Sequence, residues 1–342
     1  MSEQSNGFLK KWNAAAMDLC PDPFRPSSFG STRDGFGKGL LETAELHENI
    51  WVVSADVQES TRVHWFAEKF PNRFIQVGIA EQNLAGIAAG ISSCNKIVFM
   101  SAFAAFSPGR NWDQIRVSIC YQNSNVKIHS SHSGLTVGAD GATHQALEDI
   151  GILRTLPNMT IVVPCDFEQA KKAVKLIALH SGPVYLRTVR EKSPVFTSSK
   201  TPFEIGKFNV YKEGKDIAIF ACGFTVYPAL HAAFELEKEG IDCAVIDAHT
   251  IKPIDQDSIL FWANTTKLLI SIEDHQVTGG LGSAIAEVLA ETKTNAILKR
   301  HGIYDLFGES GECEQLLKKY KLDYVGISEV VRTAWNSLKV KL

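Results

Sequence analysis

The 342-residue sequence predicts an α/β protein of two domains, each a mostly parallel sheet flanked by helices. Three observations carry that expectation. From Asp34 onward, short apolar runs alternate with segments whose apolar residues recur at helical spacing. The alternation breaks once, over 193–202, a polar stretch with prolines toward both ends and a Ser-Ser-Lys centre. The length, with a 45% hydrophobic share, is enough for two cores of ordinary size.

Taken in order, 39–47 reads as a helix and 50–54 (Ile-Trp-Val-Val-Ser) as a buried strand. A helix over 62–70 leads to a short strand at 74–77, and then Gly78 opens a small-residue helix. Strands at 97–100 and 126–129 flank a helix at 112–121. Strand 159–163 is stopped by Pro164, helix 168–179 follows, and strand 184–187 closes the first domain. The second domain repeats the pattern, with strands at 217–220, 243–246 and 268–272 and helices at 228–239 and 281–289. The predicted division is an extension over 1–29, a first domain over 30–194, a linker over 195–202 and a second domain over 203–342. In the extension, 10–17 has the composition of a short helix. The stretch 20–28 holds three prolines and reads as irregular chain laid on a surface, with a partner chain as the candidate surface.

Composition excludes several classes. A net charge of -3 gives no electrostatic case for nucleic acid or an anionic membrane, so any phosphate site must be local. No apolar run approaches a membrane span, and the polar start Met-Ser-Glu-Gln-Ser-Asn lacks a signal-peptide core. The seven cysteines are scattered, with no Cys-x-x-Cys pair. They read as reduced, mostly buried thiols of a cytoplasmic protein rather than zinc ligands or a disulfide framework.

The most informative stretch is 73–90, Arg-Phe-Ile-Gln-Val-Gly-Ile-Ala-Glu-Gln-Asn-Leu-Ala-Gly-Ile-Ala-Ala-Gly. Glu81 stands at the mouth of a helix whose apolar stripe is Leu84, Ile87, Ala88 and Ile91. A first-turn Glu is ordinary, because the helix dipole favours it there. This helix, however, is thin (Ala85, Gly86, Ala88, Ala89, Gly90), so another chain can approach closely and bury the carboxylate. Downstream, Phe103 and Phe106 are three residues apart after a strand, a spacing met most often in cores. His132, Asp140 and His144 share the Gly-rich run His-Ser-Gly-Leu-Thr-Val-Gly-Ala-Asp-Gly-Ala-Thr-His. Its spacing matches no common zinc motif.

The stretch around Glu81 resembles the pyrimidine-binding domain of transketolases, where a Glu in this place faces thiamine diphosphate. The resemblance continues in order through Ser101-Ala-Phe-Ala-Ala-Phe106, Asp113-Gln-Ile-Arg116, 131–145, Leu186-Arg-Thr-Val-Arg190 and Thr250-Ile-Lys-Pro-Ile254, spanning roughly 30–320. It implies that Glu81 bonds the aminopyrimidine and favours its imino tautomer, whose imino nitrogen can take the thiazolium proton. It implies that Phe103 and Phe106 wall that ring and that Asp56 lies near it. It also makes 132–145 a sugar-binding loop, with Asp140 and His144 on hydroxyls near the reacting carbons, His132 nearer the phosphate end, and His132 and His144 able to shuttle protons. Arg33, Ser60 and Arg190 match the acceptor-phosphate site, with Arg187 as a competitor for Arg190.

Two departures stand out. Gly109 occupies a place where the family often has a third aromatic. No Gly-Asp-Gly with a downstream Asn is present, and Ala139-Asp-Gly141 resembles that motif only superficially. Gly279-Gly-Leu-Gly282 lacks the full dinucleotide fingerprint and reads as a structural turn. The implied protein is the second subunit of a split transketolase. Its diphosphate- and Mg2+-binding residues lie on a separate subunit, and the assembly is a heterotetramer. The implied reaction moves a two-carbon ketol unit from a ketose phosphate to an aldose phosphate, in the pentose phosphate pathway or a specialised route. The rivals are a 1-deoxyxylulose-5-phosphate synthase-like or 2-oxo-acid dehydrogenase β-like subunit, and a non-catalytic regulatory partner.

Overall fold

The computed structural model describes residues 11, 12 and 17–339. The first domain holds β1 (Phe29–Ser31), α1 (Thr32–Leu46), β2 (Ile50–Ser54), α2 (His64–Lys69), β3 (Phe74–Gln76), α3 (Glu81–Ser92) and β4 (Ile97–Phe103). A helical stretch over 112–121 winds more loosely in its second part. Then come β5 (Val126–Ser131), α4 (Asp149–Arg154), β6 (Thr160–Val162), α5 (Phe167–Leu179), β7 (Val184–Arg187) and β8 (Lys192–Pro194). The second domain holds β9 (Asn209–Lys212), β10 (Ile217–Ala221), α6 (Val226–Lys238), β11 (Cys243–Asp247), β12 (Thr250–Lys252), α7 (Gln256–Thr265) and β13 (Leu268–Gln276). It ends with α8 (Leu281–Ala290), β14 (Ile297–Ile303), α9 (Cys313–Lys319) and α10 (Tyr324–Lys339).

The fold class is as expected: two α/β domains with mostly parallel sheets. The first sheet runs β12-β6-β7-β5-β4-β2-β3, all parallel except β12. The second runs β14-β13-β10-β11-β9, with only β9 antiparallel. One strand crosses between domains. Thr250–Lys252 follows the second-domain strand β11 yet pairs with β6 at the edge of the first sheet.

Period-2 alternation sorts the strand side chains into layers. On β4, Ile97 and Phe99 face α1 and α5, while Val98, Met100 and Ala102 face the opposite way. On β10, Ala218 and Phe220 join that same middle cluster, and Ile217 and Ile219 face α6. The two sheets therefore share one apolar layer, which couples the domains. Helices α1 and α5 are each capped by the side chain of the residue just before them. Ser31 Oγ accepts from Asp34 N at 3.2 Å on α1, and Asp166 Oδ1 accepts from Gln169 N at 2.9 Å on α5. The Gly279–Gly282 turn is structural: Glu273 fills the start of α8, accepting from Leu281 N at 2.6 Å and Gly282 N at 2.9 Å.

The described part of the extension packs on the second domain of its own chain. Phe24 packs on Phe234 with ring centroids 4.5 Å apart, and buried Trp12 donates to Cys20 O at 2.7 Å. Lys11 pairs with Asp242 at 2.8 Å. Trp12 and Phe24 supply the reason: their rings fill the outer apolar face of the second sheet and its helices. Most of the helix expected over 10–17 lies outside the described residues. No helix among the described residues is long and apolar enough to cross a membrane.

Candidate active site

A parallel sheet delivers the residues that follow its strands to one edge, at the carboxyl ends. Asp56 follows β2, Glu81 follows β3, Phe103 ends β4, His132 follows β5 and Arg190 follows β7. Residues far apart in sequence converge there for that reason alone. Arg33 reaches the same edge from the first turn of α1.

Glu81 is 6% exposed at the start of α3. Its Oε1 accepts from Arg110 Nη1 at 3.2 Å, and its backbone oxygen accepts from buried Asn111 Nδ2 at 3.0 Å. Oε2 has no hydrogen-bond partner among the described residues. The buried face of α3 is Leu84, Ala85, Ala88, Ala89 and Ser92, so Ile87 and Ile91, expected in the stripe, are only partly covered. The opposite face carries Gly86 and Gly90, and a Cβ added at either would meet nothing within 4 Å.

Phe103 and Phe106 are half-buried and stacked, with centroids 6.2 Å apart. Phe103 stacks on His132 at 4.0 Å, and Phe106 meets His144 edge-on at 5.2 Å. The Arg110 guanidinium lies 4.1 Å over Phe106 and covers the ring from outside. Gly109 has a backbone reason: a Cβ there would lie 2.3 Å from Ala105 O in the turn after β4. A side chain at 109 cannot occupy this turn, and Arg110 covers Phe106 instead.

Beside the rings lies a basic pocket. Arg33 Nη1 donates to Ser60 O at 2.9 Å and sits 3.4 Å from His132 Nε2, while its buried Nε has no partner among the described residues. Ser60 thus meets Arg33 through its carbonyl rather than its hydroxyl. Burial first, then the Arg33, Arg190 and Arg62 guanidiniums, push the His132 imidazole down to about 3, so it is neutral near pH 7. Its Nδ1 lies 3.0 Å from Ser131 Oγ. Asp56, Arg62 and His132 all hold left-handed backbone (φ 61, 69 and 59), a conformation that costs non-glycine residues energy and clusters at functional sites.

Sequence reasoning missed Arg62, Arg110 and Asn111. Arg62 Nε pairs with Asp34 at 2.6 Å, and its charge, after burial, most strongly disfavours the charged form of Arg33. Arg187 is not a competitor for the pocket. It is buried and paired with Asp149 at 2.8 Å, whereas half-exposed Arg190 lies 3.5 Å from Asp140. His144 Nδ1 lies 2.9 Å from Thr143 Oγ1.

A buried carboxylate with one free oxygen, beside two stacked rings, fits a flat, basic heterocycle such as an aminopyrimidine. Among the described residues, no three His, Cys, Asp or Glu side chains group to hold a metal ion.

Comparison with known proteins bears on that fit. The transketolase pyrimidine-binding domain matches residues 30–195, and the transketolase C-terminal domain matches 206–327. A protein of Methanocaldococcus jannaschii, provisionally named a transketolase C-terminal section, is 42% identical over 299 residues, covering 87% of this chain and 94% of that one. The chain belongs to the transketolase family. A 6-deoxy-6-sulfo-D-fructose transketolase subunit of a Clostridium species is 39% identical, over 88% of this chain and 92% of the relative. A solved structure described as a split-gene transketolase, an inactive beta4 tetramer, shares 44% identity at a TM-score of 0.83. It covers 90% of this chain and 98% of that chain. This transketolase-family chain therefore has the two-domain make-up of a split-transketolase subunit.

Proposed function

We propose that the chain is the pyrimidine-binding half of a two-chain, thiamine diphosphate-dependent transketolase. In this reading it moves a two-carbon ketol unit between phosphorylated sugars, with Mg2+ and the cofactor diphosphate held on a separate subunit. The observation that carries the reading is the placement of buried Glu81, the Phe103–Phe106 pair and the Arg33–His132 pocket along one sheet edge. When bound, the cofactor supplies a carbanion equivalent that the protein lacks.

The chain's own residues then have distinct tasks. Glu81 would meet the aminopyrimidine through Oε2, the oxygen Arg110 leaves free, and hold a proton there. Phe103 and Phe106 pack against the ring and exclude water, with Asp56 at the rim. His144 Nε2 and Asp140 orient sugar hydroxyls, and His144 passes a proton to or from the reacting oxygen. Neutral His132 donates or accepts a hydrogen bond without adding charge. Arg33 and Arg190, with Ser60 beside them, bind the phosphate end.

The bare Gly86–Gly90 face of α3 and exposed Ile79 support a partner seated over Glu81. The likeness to an inactive beta4 tetramer supports inactivity of this chain alone. The test is native mass spectrometry of the chain co-expressed with its neighbouring gene product, with thiamine diphosphate and Mg2+ added, followed by a ketose-donor assay. A cofactor-loaded heterotetramer with ketol transfer is expected. A lone homodimer that takes up no cofactor, or turnover of a 2-oxo acid without ketol transfer, would overturn the reading.

A further inference from the structure

The loop that carries His132, Asp140 and His144 is braced from behind by the second domain. Gly134 (φ 73) stands where a Cβ would lie 1.9 Å from Asp274 Oδ2, so the carboxylate occupies that space. Both Asp274 oxygens accept from Leu135 N, at 3.0 and 3.1 Å. Farther along, Gly141 (φ 76) backs onto Ser310, whose Oγ would be 2.4 Å from a Cβ. Gln145 Nε2 donates to Glu309 O at 3.0 Å. The loop glycines therefore fit the chain against the second domain, rather than only letting a ligand approach.

Asp274 is itself held. It is 3% exposed at the end of β13, and its carbonyl accepts from Arg187 Nη2 at 2.9 Å. Arg187 Nε is anchored by Asp149 at 2.8 Å, and Asp149 also accepts from Tyr185 OH at 2.6 Å. Burying these charges is tolerable only with donors and a counter-charge in place, so the cluster forms as a unit. A Gly-rich loop without such an anchor has many backbone states of similar energy.

We propose that Asp274 is a positioning residue for the substrate loop: through it and the Gln145–Glu309 contact, the C-terminal domain fixes His132, Asp140 and His144 against Arg33 and the phenylalanine pair. The proposal rests on reading 132–145 as the sugar-binding loop. It gives the C-terminal domain a role in sugar binding exerted through the loop.

The experiment uses the full chain assembled with its diphosphate-binding subunit, comparing wild type with Asp274→Ala, Asp274→Asn and Gln145→Ala. For Asp274→Ala, the sugar KM should rise roughly tenfold to hundredfold, more than kcat falls, as for a misplaced binding group. Thiamine diphosphate affinity should stay within about twofold. Amide hydrogen exchange over 134–145 should quicken while 84–92 stays protected. Asp274→Asn keeps an acceptor for Leu135 N and should restore most of the KM. Gln145→Ala leaves the buried charges intact and should shift KM and loop exchange the same way by less, which keeps the test decisive if Asp274→Ala misfolds. Unchanged loop exchange in both alanine variants, or cofactor affinity falling in step with sugar affinity, would overturn the brace. If the wild-type complex transfers no ketol unit yet loop exchange responds to Asp274→Ala, the functional reading fails and the brace stands.

Discussion

Replacing Arg33 with Ala probes the basic pocket most directly. The Nη1 atom of Arg33 is engaged with Ser60 O and His132 Nε2, but Nε is buried without a partner among the described residues. That leaves the Nε and Nη2 edge of the guanidinium to meet a phosphate. Losing one charge-assisted hydrogen bond costs about 1.5–3 kcal/mol. At about 1.4 kcal/mol per decade, kcat/KM for a phosphorylated aldose should fall roughly 10- to 150-fold. An unphosphorylated aldose never engages that edge, so its kcat/KM should change by less than about threefold, a difference within about 0.7 kcal/mol. Loss of the guanidinium also removes one cause of the depressed His132 pKa. Burial is the larger cause, so the imidazole stays neutral at pH 7 and the acceptor comparison is not confounded. The assay is steady-state ketol transfer by the reconstituted complex with paired acceptors. An equal loss for both acceptors would refute a phosphate role and assign Arg33 to holding Ser60 and His132 in place.

Three further outcomes are expected. Glu81→Gln in the reconstituted complex should lower turnover by about 10²-fold or more, the range of a lost proton-transfer group, with the circular dichroism spectrum unchanged; unaltered turnover would favour the regulatory-partner reading. Asp166→Ala removes the acceptor of Gln169 N, Phe196 N, Thr197 N and Thr197 Oγ1, all within 2.9 Å, and should cost about 3–5 kcal/mol in chemical denaturation by freeing four buried donors. Burial pushes the His249 imidazole down to about 3, from about 6.5 unfolded, with Lys172 adding to the effect. The unfolded chain therefore takes up a proton that the folded chain refuses, and this contribution, complete above pH 6.5, is lost as pH falls toward 3. His249→Asn should flatten the pH dependence of unfolding in that window by up to about 1.4 kcal/mol per pH unit; an unchanged slope would contradict the burial argument.

Much of the candidate site was legible because the residues that line it follow short apolar runs. A strand such as 97–103, or the Gly78 turn before Glu81, announces itself by local pattern, and the topology of a parallel sheet does the rest. Ser60 was legible as a position but not as an atom, since only the folded backbone shows its carbonyl turned to Arg33. Nothing in the local sequence singles out Arg62 or Arg110. Their significance comes from neighbours in space: Asp34 and the pocket for one, Phe106 and Glu81 for the other. Strand 250–252 has too few residues for a periodic signal, and its sheet was decided by the open edge of β6.

The sequence by itself determined the α/β class and the family motifs around Glu81 and 131–145. These are local matters of period, turn chemistry and residue type, written within a few positions of one another. Tertiary structure alone decided that Trp12 and Phe24 pack on the second domain, that Arg187 belongs to a buried cluster while Arg190 lies beside Asp140, and that Asp274 stands behind the loop 132–145. Each depends on which distant groups share a desolvated space. There the cost of burying a charge or orphaning a donor selects the partner, and no spacing along the chain records that choice.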